Sequence, residues 1–202
     1  MKKAKKTMGM LVAVEIGAVL SRYGDKLTDV SETGFDVKRL DSDDYTMYIL
    51  KSGAGEIAAA AGTQFLITKY GAEFIINFGV VGGLTPEMSL AKTCVVESVV
   101  HYDFDTSTID NCEVGRYLEY PSIYVDDPAK KRALHADFNA DICEMEAAAI
   151  LLTCNRNRVP CLMIKAVSDA IEGGCEEFTA QVDRSAAICL EVAHRVIEKL
   201  HS

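Results

Sequence analysis

The sequence predicts an α/β protein whose helices pack on a largely buried central β-sheet. Strand-like and helix-like segments alternate along the chain, which is the pattern that this layered architecture produces. The composition, with 49% hydrophobic and 25% charged residues, is typical of a globular protein and excludes a disordered or fibrous class. Because 202 residues are enough for one sizeable core, we interpret residues 1–202 as a single domain.

The first apolar run, Met8 to Val14, follows a lysine-rich start and has two interpretations. It superficially resembles a secretory signal, but Glu15 interrupts it early and no convincing cleavage site follows. It equally suits the first strand of the core. No other segment approaches the roughly 18 apolar residues that a membrane-spanning helix needs. We therefore expect a cytoplasmic protein without a membrane partner.

Two strands and a helix are predicted between this run and the middle of the chain. Residues 46–51 form a strand that leads into the glycine-containing turn 52–55. The alanines in residues 56–70 favour a helix there. Residues 74–78 are a compact apolar strand, which is expected to end at the glycine-rich segment 79–83. Both strands thus end at a glycine-rich segment.

The second half is predicted to continue the alternation. Residues 93–100 are β-branched and apolar, which favours a strand, and Pro128 is expected to open a short helix through residue 134. A helix should follow the segment 144–146 and reach about residue 157, before a strand at residues 160–167. The last helix is predicted over residues 177–200, where apolar residues recur at helical spacing.

Charge and cysteine content indicate which classes of ligand the protein is expected to bind. The formal net charge is −9, and no long basic cluster occurs beyond the first six residues, so nucleic acid is not expected as a partner and a small molecule is. The seven cysteines are odd in number, scattered and never spaced as C-x-x-C. This pattern favours reduced cysteines and predicts no metal site.

Two carboxylates flank a methionine in Glu144-Met145-Glu146, where an apolar strand is expected to become an alanine-rich helix. Carboxylates rarely enter a core unpaired, and a helix N-terminus favours negative charge, so Glu146 suits the first helical turn. If Glu144 is still extended, it points to the same side as Glu146 and Met145 points the other way. The pair then faces one ligand, or else Glu144 is simply solvated at the start of a helix.

Four unusual segments stand at predicted strand ends: residues 52–55, 79–83, 144–146 and 168–169. In open α/β sheets, ligands bind outside the carboxyl ends of the strands. Glycines let backbone N–H groups approach a ligand, and a strand-end carboxylate such as Asp169 is suited to hold or protonate a heterocycle. A rival interpretation is a dinucleotide site at Gly53-x-Gly55-x-x-Ala58, but the acidic residue expected at the end of the next strand is missing.

The chain resembles the nucleoside phosphorylase superfamily in four motifs that occur in the same order: LKSGAG at 50–55, NFGVVGGL at 77–84, EMEA at 144–147 and KAVSD at 165–169. The closest resemblance is to 5'-methylthioadenosine/S-adenosylhomocysteine nucleosidases. It implies a three-layer α/β/α sandwich around a mixed central sheet, cleavage of a nucleoside N-glycosidic bond, and a homodimer or larger homo-oligomer.

The resemblance also assigns roles by motif. Glu146 would accept hydrogen bonds from the ribose hydroxyls while Met145 packs against the sugar. Asp169 would share or donate a proton at the purine N7, oriented by Ser168. Phe104, in a segment that resembles the family's stretch near a subunit interface, is a candidate wall for a neighbour's pocket.

The chain departs from the family after the first predicted strand. Nucleosidases of this type carry a glutamate cluster there, one member of which activates water, and Gly17 falls where that base is expected. Glu15 is then the candidate base, provided that the turn is rearranged. We expect Glu144, Gly79 and Val80 to contact the substrate, although Val80 replaces the small polar residue common in the family.

A second departure is a shortened interval between residues 104 and 143, which lacks the usual strand with an aromatic residue that stacks on the base. Phe138, or an aromatic residue of a partner subunit, is the candidate replacement. Lys51, Lys165 and Arg116 are the candidates for holding phosphate, should phosphate be a co-substrate.

We accordingly expect hydrolysis of a purine nucleoside or 5'-thionucleoside, favoured over phosphorolysis and without a cofactor. The developing positive charge on the sugar is stabilised by a nearby carboxylate, and an acid neutralises the leaving base. The alternative is a catalytically degenerate nucleoside-binding or regulatory protein of the same fold.

Overall fold

A computed structural model describes residues 5–32, 34–102 and 127–201 of the chain. The strands that it contains are β1 (Lys6–Val12), β2 (Leu27–Asp29), β3 (Asp36–Asp41), β4 (Tyr45–Lys51), β5 (Phe74–Gly83), β6 (Thr93–Val95), β7 (Ile142–Cys143) and β8 (Cys161–Asp169). The helices are α1 (Ile16–Tyr23), α2 (Glu56–Tyr70), α3 (Pro128–Phe138), α4 (Ala147–Asn157) and α5 (Gly174–His201).

The strands form one mixed sheet with the order β2-β3-β4-β1-β5-β8-β6, and β7 pairs with β5 outside this path. The central strands β4, β1, β5 and β8 are parallel to one another. The outer pairings β2–β3, β3–β4 and β6–β8 are antiparallel. Because the central strands are parallel, their carboxyl ends meet at one edge of the sheet, where α/β proteins bind ligands.

Alternation along β1 shows how the sheet is covered on both faces. Met8, Met10 and Val12 pack in one buried cluster with residues of α1 and α5. Leu11 lies in a second cluster, which contains residues of α2 and α4. Since successive side chains of a strand point to opposite faces, the two clusters are the two sides of the sheet. The predicted three-layer α/β/α architecture with a mixed sheet is confirmed.

Most predicted elements are present, and their limits differ in ways that have physical causes. The glycine-rich segment 79–83 is the second half of β5 and not its exit, because the ladder with β8 continues through it with one register shift between Val81 and Gly82. The strand predicted over residues 93–100 is short and ends at Val95. No element was predicted for residues 16–41, where the structure has α1, β2 and β3.

No helix in the described part of the chain is both long and apolar enough to cross a membrane.

The two isoleucines Ile76 and Ile57 provide a matched test of the core. Ile76 is fully buried in β5, whereas Ile57 in the first turn of α2 is 71% exposed. Truncation of a buried isoleucine removes apolar burial and leaves a cavity, so we expect Ile76→Ala to lower the free energy of unfolding by about 2–5 kcal/mol. Ile57→Ala should change it by less than about 0.5 kcal/mol.

Urea unfolding followed by circular dichroism measures both values. Equal losses for the two variants would contradict the assignment of β5 to the centre of the sheet.

Candidate active site

A cavity of about 440 Å³ lies at the carboxyl edge of the sheet, where β1, β5 and β8 end. Seven of the predicted site residues line it: Glu15, Val80, Glu144, Met145, Glu146, Ser168 and Asp169. Met145 lines this cavity together with Glu144 and Glu146. Phe104 and Arg116 lie outside the described residues.

Glu15 follows β1 and turns its carboxylate back over the sheet. It is only 6% exposed, and it accepts hydrogen bonds from the N–H groups of Ala13 (3.1 Å), Val14 (2.9 Å) and Val80 (3.0 Å). A Cβ atom at Gly79 would lie 2.8 Å from Glu15 Oε1, so the glycine gives this carboxylate room against β5. Gly79 therefore contributes to the site by leaving space for the Glu15 carboxylate next to β5.

Gly17 lies away from this arrangement. It is exposed in the first turn of α1, and a Cβ atom built on it would meet no heavy atom within 4 Å. The structure thus places the carboxylate of Glu15 in the cavity, and position 17 faces open space.

Glu144 supplies the cap for α4. Its carboxylate accepts hydrogen bonds from Ala147 N (2.7 Å) and Glu146 N (3.1 Å), N–H groups at a helix start that have no partner within the helix. Its Oε2 atom also lies 3.0 Å from Lys165 Nζ on β8. Glu144 is therefore paired and capping, which excludes the alternative of a solvated side chain.

Lys165 is fully enclosed beside the acidic residues. Burial acts to lower its pKa, but the negative charges of Glu144, Glu146 and Glu15 outweigh burial and raise it. Its ammonium is engaged by Glu144, so Lys165 is poorly suited to the phosphate-holding role considered for it. Lys51 is exposed at the end of β4 and does not line the cavity.

Glu146 occupies the position just before α4, one residue earlier than the predicted first turn. Its Oε1 atom accepts a hydrogen bond of 2.7 Å from the backbone N–H of Gly55, at the start of α2. Burial raises the pKa of Glu146 to about 7; Glu144 and Glu15 act in the same direction, whereas Lys165 and the Gly55 N–H oppose it. Glu146 therefore holds a proton more tightly than an exposed glutamate does.

The turn before α2 contains the glycines of the rival dinucleotide motif. Gly53 and Gly55 both have positive φ angles, of 82° and 99°, which glycine adopts readily. The Gly55 N–H group, one of those that a pyrophosphate would need, is already donated to Glu146. This arrangement argues against a dinucleotide site.

Asp169 closes the cavity at the end of β8 and is 2% exposed. Its Oδ1 atom lies 2.8 Å from Ser168 Oγ, which is also 3.2 Å from Val81 O. Its Oδ2 atom lies 2.5 Å from the ammonium nitrogen of Lys131, a residue of α3 with no exposed surface. Both carboxylate oxygens are therefore engaged, and Ser168 does orient Asp169.

Sequence reasoning missed Lys131 and Phe178. Lys131 stands in a run of basic residues typical of a solvated surface, yet it shares a helix face with the buried Leu134, three residues on, and this spacing was the available signal. Phe178, in α5, lines the cavity, and nothing distinguishes it in the sequence from a core residue. Phe138 packs with Leu84 and lines an adjoining cavity that shares Cys143 and Glu144 with the first, so its role as the stacking residue stays a prediction.

Among the described residues, no three His, Cys, Asp or Glu side chains are grouped in a way that would hold a metal ion. Within the part of the chain that the structure describes, the acidic residues of the cavity are balanced only in part by cations. Glu15, Glu144 and Glu146 surround the single ammonium of Lys165, while Asp169 is paired with Lys131. Such a surplus of negative charge favours a cationic or electron-poor group in the cavity.

The sequence of this chain is similar to those of a known protein family and of several characterised relatives. The phosphorylase superfamily matches the chain in two segments, residues 14–113 and 110–201. An aminodeoxyfutalosine nucleosidase of Campylobacter jejuni is 25% identical in an alignment of 225 positions, gaps included, which covers 91% of this chain and 98% of the relative. A 5'-methylthioadenosine/S-adenosylhomocysteine nucleosidase of Staphylococcus haemolyticus is 25% identical in an alignment of 232 positions, gaps included, which covers 94% of this chain and 100% of the relative.

A crystal structure of the Helicobacter pylori 5'-methylthioadenosine/S-adenosylhomocysteine nucleosidase superposes with a TM-score of 0.90. The two chains are 19% identical, and the superposition covers 98% of this chain and 100% of the other. The fold is therefore shared over nearly the whole length of both.

The raised pKa of Glu146 predicts a pH-dependent contribution to stability. The folded protein binds this proton more tightly than the unfolded chain, whose reference pKa is 4.5, so stability is lost as the pH rises from about 4.5 through about 7. Glu146→Gln removes the titration. We expect the stability of the wild type relative to this variant to fall by about 3 kcal/mol between pH 4.5 and pH 8.

Urea unfolding at several pH values measures this difference. Glu176→Gln, which alters an exposed residue of α5, is the control and should track the wild type throughout. A difference for Glu146→Gln that does not change with pH would contradict the buried, proton-binding state of Glu146.

Proposed function

Because this chain belongs to the phosphorylase superfamily, we propose that it hydrolyses the N-glycosidic bond of a purine nucleoside or 5'-thionucleoside. The observation that carries the proposal is the convergence of three carboxylates, Glu15, Glu146 and Asp169, on one cavity at the carboxyl edge of the sheet. The family membership expected from the four sequence motifs is confirmed. The residue roles that follow rest on the geometry of this cavity.

Cleavage of the bond between C1' and N9 leaves positive charge on the ribose and an electron pair on the base. Glu146, held by the Gly55 N–H through one oxygen, has its second oxygen for the ribose hydroxyls and for the developing charge. A hydrogen bond that strengthens as the sugar becomes cationic contributes to the rate and not only to binding. This role requires the ionised form of Glu146.

Asp169 is the acid that serves the leaving purine. It stands at the end of β8, across the cavity from the end of β1, with its orientation set by Ser168. A proton delivered to N7 turns the departing purine anion into a neutral base, and general acid catalysis of this kind contributes about 10²–10⁴-fold.

Glu15 is the candidate base that activates water. Its carboxylate is fixed by three backbone N–H groups and borders the cavity, so a water held by it is directed toward the sugar. The alternative of a degenerate binding protein rested on the glycine at position 17. With Glu15 in the cavity, that argument loses its support.

Water is favoured over phosphate as the nucleophile by the charge of the site. Lys165 is enclosed and engaged by Glu144, and two further carboxylates lie close to it. Among the described residues that line the cavity there is no lysine or arginine, so a phosphate dianion would meet negative charge there, which is costly where water is largely excluded. The relatives reported above are also named as nucleosidases.

The size and lining of the cavity suit a nucleoside with an apolar 5' substituent. A volume of about 440 Å³ falls in the range of small-molecule sites. Met145 and Phe178 give it apolar walls, to which a thioether or similar group is complementary. We propose 5'-methylthioadenosine, S-adenosylhomocysteine or aminodeoxyfutalosine as the substrate class, with no cofactor.

Release of free base from a panel of purine nucleosides and 5'-thionucleosides, with and without phosphate, tests the function. We expect release that does not depend on phosphate and yields the free sugar. Sugar 1-phosphate as the product would make the protein a phosphorylase. Ligand binding without release from any member of the panel would support a degenerate binding protein.

Two single substitutions after β1 test which residue is the general base that activates water. Glu15→Gln should lower kcat by about 100-fold or more, because the amide does not accept a proton from water. Gly17→Glu should leave kcat unchanged, since position 17 is exposed and does not line the cavity.

The double variant Glu15→Gln/Gly17→Glu completes the test. It should stay as slow as Glu15→Gln alone. Recovery of activity in the double variant would show that the general base is the residue at position 17 and that Glu15 has a different role.

A further inference from the structure

The ion pair between Lys131 and Asp169 is unusual for an acid that must give up a proton. Lys131 Nζ lies 2.5 Å from Asp169 Oδ2, and neither side chain has more than 3% of its surface exposed. An adjacent ammonium stabilises a carboxylate in its ionised form. An ionised Asp169 has no proton of its own to donate, so its role in base release requires a source of that proton.

Lys131 is not free to swing away when a substrate binds. Its Nζ atom donates a second hydrogen bond, of 3.0 Å, to the carbonyl of Ala170, and its backbone N–H is donated to the carbonyl of Asp127. Asp127 also caps α3 by accepting from Ala129 N at 2.8 Å. Displacement of the ammonium would break its hydrogen bonds to Asp169 and Ala170 and leave a charge buried without a partner, which is costly.

Gly82 provides the space that the ion pair occupies. A Cβ atom at this position would lie 3.1 Å from Asp169 Oδ2 and 3.4 Å from Lys131 Nζ. Gly82 faces Asp169 across the β5–β8 ladder, immediately after the register shift that interrupts it. The lack of a side chain at position 82 of β5 therefore leaves room for the contact between Lys131 and Asp169.

We propose that Lys131 is a positioning residue that also supplies the proton which Asp169 passes to the leaving base. The proposal rests on the proposed hydrolysis of a purine nucleoside. The N–H bond at Lys131 breaks as an O–H bond forms at Asp169, and Asp169 transfers a proton to N7 while the electron pair of the C1'–N9 bond moves to the base. Asp169 is a carboxylate again afterwards, and Lys131 is a neutral amine.

The remaining atoms balance through water. The hydroxide equivalent of one water molecule adds to C1', and its proton is taken by Glu15. That proton leaves to solvent and a proton from solvent restores the ammonium of Lys131. No other reactant is needed, and the products are the free purine and the sugar.

The test compares two leaving groups on the same ribose in Lys131→Met. One substrate is the purine nucleoside, whose base leaves with a proton, and the other is the nitrophenyl glycoside, whose nitrophenolate leaves without one. Arg132→Met, one residue further along α3, is the control because its side chain is more than half exposed and pairs with Glu172. It removes a cation from the same helix without touching Asp169.

We expect Lys131→Met to lower kcat for the purine nucleoside by about 100-fold or more, with KM changed by less than about threefold. Its kcat for the nitrophenyl glycoside should fall by less than about tenfold. Arg132→Met should match the wild type on both substrates. Should Lys131→Met not fold, Lys131→Gln gives the same comparison, because the amide fills a similar volume and carries no ammonium.

Equal losses on both substrates would overturn the proposal and make Lys131 purely structural. Full activity of Lys131→Met on the purine nucleoside would overturn it as well, since Asp169 would then obtain its proton elsewhere. A wild-type protein that cleaves neither substrate would refute the proposed function itself, an outcome distinct from both.

Discussion

Two buried ammonium groups allow four carboxylates to lie together at the carboxyl edge of the sheet. Lys165 stands among Glu15, Glu144 and Glu146, and Lys131 holds Asp169. An isolated charge in such a place would be strongly unfavourable, and pairing with hydrogen bonding is what makes it tolerable. The two lysines come from β8 and α3, so the acidic cavity depends on how these elements are placed.

Hydrogen bonds from backbone N–H groups stabilise these carboxylates in addition to the two lysines. The carboxylates of Glu15, Glu144 and Glu146 each accept at least one backbone hydrogen bond, from β5 and from the starts of α4 and α2. N–H groups at helix starts have no partner within the helix and carry partial positive charge. Two glycines on β5 let the carboxylates approach the strand, which explains a glycine-rich sequence inside a ladder. The acids are thus oriented mainly by the main chain.

The sequence was sufficient where regular burial produces a pattern and insufficient where burial is exceptional. Apolar runs and alanine-rich segments predicted β4, α2 and α4 almost to the residue. The reason is that β4 is a buried strand of the sheet, and α2 and α4 pack against one of its faces. The end of β5 was misplaced because glycine normally interrupts a strand, and here it makes room for Glu15. Lys131 went unnoticed because a lysine is normally solvated, and only tertiary structure shows that this one is enclosed.

The hydrogen bond from Gly55 to Glu146 joins residues that are 91 positions apart in the chain. The parallel ladder likewise pairs β1, at the beginning of the chain, with β4 and β5, and β5 with β8 near its end. Such non-local pairings form slowly, because long loops must close before any contact is made. During synthesis the acidic side chains that line the cavity therefore come together only after β8 has left the ribosome, so a nascent chain lacks this cavity.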